Sequence, residues 1–274
     1  MGTYLSGRRV QISGRMKYNN NLDDLLRLHS LVKRIAKHVL SNSGGLVINI
    51  GEDPLTDTDP KIPLIFDWTL LEAINEYLEE EELTWPESLG APIVVTGFHD
   101  FIDRIPPNRH ELWDKCLSHK CFRLVTLPVN HNFGGLLRQY QSRYGDILLT
   151  FGGSIGVRDL SEIYRASKKH AIHFDMSFNP AKRTASEDLA EHTLSKPSNY
   201  FEYKPGDRSS FVYSKLSFKR GFPEENMFME SLDELLIGLT KPIAFYVRLL
   251  NPKAPDFQDV EMYFRNVIDP ICEK

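Results

Sequence analysis

The chain has 274 residues, enough for one large domain or two small ones, and its 41% hydrophobic and 26% charged content excludes disorder, collagen-like repeats and low complexity. With 33 Lys and Arg against 37 Asp and Glu, the net charge of -4 supplies no basic field for a phosphate backbone, so general nucleic-acid binding is disfavoured. Three scattered cysteines, and no apolar run near about 18–20 residues, predict reduced thiols, no membrane span and a cytoplasmic location.

In chain order, RVQIS at 9–13 reads as a strand, followed by the tight Ser13-Gly14 step and an Asn-rich loop. Leucines, isoleucine and valines at helical spacing over 22–40 predict a broad amphipathic helix that stops at Ser43-Gly44-Gly45. LVINIG at 46–51 is a nearly unbroken apolar run, which suits a parallel strand covered on both faces. The unit then repeats: helix 67–83, strand 91–97, helix 108–119, strand 122–128, helix 136–144, strand 146–153, helix 157–170 and strand 171–176. Strands alternating with helices of this length define an α/β fold, a Rossmann-like doubly wound parallel sheet. Beyond Phe178 the rhythm fails. The stretch 179–222 reads as an irregular, aromatic insertion, and 223–274 as a C-terminal helical cap, so the chain reads as a single domain with its core in 1–178.

In such sheets ligands bind beyond the carboxyl ends of the strands. The strongest candidate loop is Gly152-Gly153-Ser154-Ile155-Gly156, directly after one strand and before a helix, where glycines let the backbone approach a phosphate and helix N–H groups favour an anion. Ser13, Gly14 and Arg15 after the first strand offer a hydroxyl, bare backbone and a guanidinium, while Gly51, Glu52 and Asp53 after the second offer carboxylates for ribose hydroxyls. Asp67 could accept ribose hydrogen bonds and Trp68 could stack on a base, the alternative being a helix N-cap and a core residue. His131, flanked by Asn130 and Asn132 after a strand, is a further pocket candidate. His99, Asp100 and Asp103 lack a third ligand at metal spacing, so no metal and no cofactor are expected.

The Ser13-Gly14 step, GGLVINIGEDP at 44–54 and above all ILLTFGGSIGVRDLSEIYRA at 147–166 resemble the SLOG superfamily, named for the DNA-processing Smf/DprA proteins and the cytokinin-activating LOG enzymes. The resemblance covers about residues 1–178. It implies a Rossmann-like sheet binding nucleotides or their derivatives; LOG enzymes hydrolyse the N-glycosidic bond of nucleoside monophosphates, and another branch senses cyclic ADP-ribose-type signals in antiviral systems. This chain departs from the LOG motif PGGxGTxxE: Phe151 replaces the Pro, an extra residue separates Gly153 from Gly156, Val157 replaces the Thr, and Asp159 and Glu162 miss the Glu spacing. If the chain is an enzyme, Glu162 and Arg138 occupy the places closest to the LOG catalytic pair, with Arg143 a second choice for the Arg.

Glycines kept without the Glu spacing suggest binding without efficient turnover. The leading expectation is therefore a sensor of a nucleotide-derived small molecule in antiphage defence, acting on an effector protein. The alternative is a LOG-like N-glycosidase or nucleotide hydrolase, and a third reading is a DNA-processing factor. A homodimer is expected, formed through the terminal helix (Phe257, Val260, Tyr263, Phe264) or the aromatic insertion.

Overall fold

The computed structural model describes residues 4–16, 21–57, 59–128, 134–174, 184–186, 189–190 and 222–240. The expected tail interface and most of the 179–222 insertion lie outside the described residues, as does His131.

Six strands, β1 (Arg9–Arg15), β2 (Gly45–Asn49), β3 (Ile93–Phe98), β4 (Phe122–Leu127), β5 (Ile147–Gly152) and β6 (His170–Phe174), form one sheet in the order β4-β3-β2-β1-β5-β6. Every neighbouring pair is parallel, so each connection must be a crossover, and the helices supply it. Helices α1 (Leu22–Ser41), α2 (Asp67–Glu80) and α3 (His110–Ser118) carry the chain outward from β1 to β4. Helix α4 (Gly134–Tyr144) returns it to β5 beside β1, and α5 (Ile155–Ala166) leads to β6. These five helices coincide with the periodic stretches of the sequence to within a few residues at each end.

Local signals set the helix ends. The Asn21 side chain accepts the Asp23 N–H at 3.0 Å and so caps α1, whose first turn carries Asp23 and Asp24. At its far end Ser43, not a glycine, takes the left-handed conformation at φ 59°. Gly44 and Gly45 serve close packing instead: a Cβ on them would stand 2.8 Å from the Val39 carbonyl oxygen and 2.3 Å from that of Pro92.

The two faces of the sheet differ in chemistry. Leu46, Ile48, Ile93, Val95, Ile147, Leu149, Ile172 and Phe174 belong to one apolar core with α1 and α2. A further helix, α6 (Glu225–Thr240), closes the same core: Phe228 packs on Phe174 at 5.4 Å, and Asp233 accepts the Tyr4 hydroxyl beside His38. By strand alternation the opposite face, under α4 and α5, receives Gln11, Thr96, Thr150 and His173. All four are buried, and they are hydrogen-bonded in two groups.

In the first group the Tyr164 hydroxyl donates to Gln11 Oε1 at 2.8 Å, Gln11 Nε2 to Gln141 Oε1 at 3.2 Å, Gln141 Nε2 to Thr96 Oγ1 at 3.1 Å, and Thr96 to the Ile48 carbonyl at 3.0 Å. In the second, His173 lies between Thr150 at 2.8 Å and Ser161 at 2.9 Å, and Ser186 donates to Thr150 at 2.8 Å. Burial, with Arg165 nearby, drives the His173 imidazole down to about 3, so it is neutral at physiological pH.

The Tyr164 hydroxyl anchors the first chain, and removing it strands a buried acceptor on Gln11. Tyr164→Phe should therefore lose about 1–3 kcal/mol of stability, read as a lower urea midpoint at unchanged slope; an unaltered midpoint would mean that the chain carries no stability.

Candidate functional site

Strand order reverses between β1 and β5: the chain grows outward from β1 in one direction and from β5 in the other. The crossovers diverge there, and a crevice is left beyond the carboxyl ends of both strands. It contains a cleft of about 320 Å³ lined by residues from β1, β2, α2, α4 and the β5–α5 loop.

The β1 and β5 ends approach so closely that side chains are excluded. A Cβ on Gly14 would stand 1.9 Å from the Phe151 carbonyl oxygen. Gly152 and Gly153 take φ values of 67° and 85°, which disfavour any side chain, and the Gly153 N–H is tied to the Arg15 carbonyl at 2.8 Å. This shapes the turn into α5, where the Val157 and Arg158 N–H groups bond the Ser154 carbonyl at 3.0 and 3.3 Å and those of Ile155 and Gly156, ahead of the first helical bond, favour an anion. Arg138 reaches the same place from α4. Its Nη1 lies 3.3 Å from where a Cβ on Gly156 would be and 3.2 Å from one on Gly134, so both glycines make room for the guanidinium. Asp159 holds Arg138 at 2.9 Å, yet its Nε is buried without a hydrogen-bond partner.

At the β2 side stand Asn49, Phe66, Asp67 and Phe98. Asp67 is the first residue of α2, which has no side-chain cap. Burial pushes its carboxyl up to about 7, the Asp53 charge adds to the rise, and a backbone hydrogen bond at Asn49 opposes it. A carboxyl that titrates near neutrality inside a cleft is suited to moving protons.

The structure thus brings together Ser13, Gly14, Arg15, Asp67, Arg138, Gly153, Ser154 and Gly156 of the residues expected from sequence. Gly152 sits directly behind them in β5. Others do not line the cleft. Gly51 and Glu52 stand off it, with the exposed Glu52 3.5 Å from Arg104, while Asp53 is held by Arg109 at 2.9 Å in an ion-pair cluster with Glu72. Trp68 is fully buried, with the Arg109 guanidinium 5.7 Å from its ring, so it is the core residue of the two alternatives and has no free face for a base. Glu162 is an exposed residue of α5. Sequence reasoning missed Gln11, Asn49, Phe98 and Gln141. A signal exists for the polar ones in strands, since a polar residue within a strand covered on both faces needs a partner. Among the described residues no group of His, Cys, Asp or Glu could hold a metal, and no helix is long and apolar enough to cross a membrane.

A six-stranded parallel α/β sheet with glycine-shaped turns at its switch point is a Rossmann-like fold, the architecture that the three glycine motifs imply. The chain belongs to the family described as ATP nucleosidase Cap17-like, N-terminal, which it matches over residues 5–220. Helix α6 lies beyond that span. Among solved structures it is similar to the X-ray structure of TM1055, a structural-genomics target, at 12% identity and a TM-score of 0.38, over 67% of this chain and 81% of that one. No curated protein matches the chain. The family finding favours the N-glycosidase alternative over sensing without turnover.

The elevated Asp67 carboxyl has a consequence for stability. The folded state holds a proton that the unfolded chain releases near pH 3.8, so this residue's contribution is fully present below about 4 and is lost as pH rises through 7. Asp67→Asn should gain melting temperature relative to wild type as pH rises from 4 to 7.5, with little difference at pH 4; parallel melting curves would mean that the carboxyl is not raised.

Proposed function

We propose that this chain is a nucleotide-processing protein of antiphage defence that hydrolyses the N-glycosidic bond of ATP or a closely related adenine nucleotide. The observation that carries the reading is Asp67, a carboxyl titrating near 7 in the same cleft as the glycine turn and Arg138. The family's description as ATP nucleosidase supports an adenine nucleotide as the substrate.

The division of labour follows from strand order. The phosphates lie over the β5–α5 turn, where the N–H groups of α5 and the Arg138 guanidinium offset their charge, with Arg15 at the open rim. The ribose lies over Ser13 and Gly14, and the base extends toward β2. As the bond from C1′ to the base breaks, its electron pair leaves with the base and positive charge develops on the ribose. The Asp67 carboxylate stabilises that charge and takes a proton from the attacking water, whose oxygen bonds to C1′. The base acquires its proton from solvent, so the net reaction adds one water. Glu162, exposed on α5, has no part in this scheme.

Chromatography of purified protein incubated with ATP should show free adenine accumulating over many turnovers. The rate should rise with pH through about 7, because the base form of Asp67 is the active one. Asp67→Asn should lower kcat by about 10²–10⁴-fold, and Glu162→Ala should leave it unchanged. Tight ATP binding with no release of adenine would return the sensor reading.

A further inference from the structure

We propose that Asn49 is the residue that reads the base, accepting a hydrogen bond from the exocyclic amine of adenine and donating one to N7. This inference rests on the proposed nucleotide hydrolysis and names the group that selects its substrate.

Three observations converge on Asn49. It is the last residue of β2, lines the cleft, and its Oδ1 is buried with no hydrogen-bond partner. A buried amide oxygen left unpaired is destabilising, and a persistent cost of that kind inside a cleft points to a ligand. The neighbouring network also passes Asn49 by. Thr96 stands opposite it in the β2–β3 register, but the Thr96 hydroxyl already accepts from Gln141 and donates to Ile48. Tyr164, Gln11 and Gln141 close the rest of that chain among themselves, so Asn49 is the cleft amide that the protein leaves unused.

Position agrees with chemistry. Asn49 ends β2, two strands from β5, so it stands about 10 Å across the sheet from the glycine turn, a span that fits a nucleotide lying across β1. An amide presents one acceptor and one donor on a single edge, which complements the N6 amine and N7 of adenine. Hypoxanthine and guanine place two acceptors on that edge, O6 and N7, and match the amide in neither orientation. Phe66, Phe98 and Leu137 supply the apolar walls of this end of the cleft. The hydrogen bond to N7 also draws charge from the departing ring, so the contact that selects the base assists its release.

The test compares ATP with ITP, which carries hypoxanthine. Wild type should release base from ATP with a kcat/KM at least about 10-fold above that for ITP. Asn49→Leu should lower the ATP value by about 10- to 100-fold while changing ITP little, so that the preference collapses. Equal loss on both substrates in a protein with a normal melting curve would overturn the assignment, because a merely structural role affects both alike. Should Asn49→Leu fail to fold, Asn49→Ala makes the same comparison without added apolar bulk. Calorimetric titration with ATP and ITP in the Asp67→Asn background separates this inference from the hydrolysis reading. A preference for ATP in binding that Asn49→Leu abolishes, with no adenine released by wild type, upholds Asn49 and removes the nucleosidase. Release of adenine and hypoxanthine at equal rates by wild type upholds the nucleosidase and removes Asn49.

Discussion

The pairing of β1 with β5 is the constraint from which the cleft follows. Because the strand order reverses there, the crossovers on either side run to opposite faces and none closes the carboxyl edge between them. The two strands then continue past the point where regular pairing leaves room for side chains. Gly14 faces the Phe151 carbonyl, and Gly152 and Gly153 turn with positive φ so that Gly153 can bond back to Arg15. Bare backbone is what remains exposed, and bare backbone at a helix N-terminus favours an anion. Gly134 and Gly156 extend the same device to a side chain, since their missing Cβ atoms admit the Arg138 guanidinium between α4 and α5.

The sheet divides its work between faces. The face toward α1, α2 and α6 is apolar and supplies the burial that stabilises the domain. The face toward α4 and α5 is stitched by side-chain hydrogen bonds, which in a buried setting specify one arrangement because each donor must find its acceptor. Tyr164 can only donate to Gln11 Oε1 while that amide is turned one way; this orients Gln141, and Gln141 in turn occupies Thr96. Helix α4, which bears both Gln141 and Arg138, is thereby held in register over the sheet. The polar layer is thus the rigid support on which the cleft residues of α4 stand.

The order of strands and helices is legible in the sequence because periodicity records burial, and here nearly every element buries one face or both. The glycine turn is legible too, since three glycines and a serine between a strand and a helix leave the backbone bare where the chain must reverse. The rest depends on what lies across space. LVINIG reads as an apolar run, and nothing local distinguishes Asn49 as an unpaired amide rather than a member of the network beside it. Glu52 and Asp53 follow a strand end as a ribose-binding carboxylate would, but Arg109, 56 residues from Asp53, draws the latter away. Glu162 is suggested only by its distance from the glycines along the chain. On the helix that distance brings it to the exposed side of α5, whereas Asp159, three residues earlier, reaches Arg138. The expectation of binding without turnover rests on that spacing; in the proposed reaction a carboxylate from another element, Asp67, takes the place that Glu162 does not fill.

Why Asp67 and not Asp53 is the carboxyl that titrates near 7 follows from where Arg109 goes. Both acids are pushed up by burial, but Asp53 has the Arg109 guanidinium at 2.9 Å to pull it back. That cation is already committed: Glu72 holds it from the other side, Lys33 bonds Glu72 at 2.8 Å, and the Trp68 ring lies beneath it. Helix α2 supplies Asp67, Trp68 and Glu72 within six residues, so the helix that brings Asp67 to the cleft also holds Arg109, through Glu72 and Trp68, at Asp53. Asp67 is left with a backbone hydrogen bond and an unfavourable neighbour in Asp53, and burial holds its carboxyl up at about 7. Two carboxyls in one region are set apart in role by a single guanidinium, one fixed as structure and one free to exchange a proton.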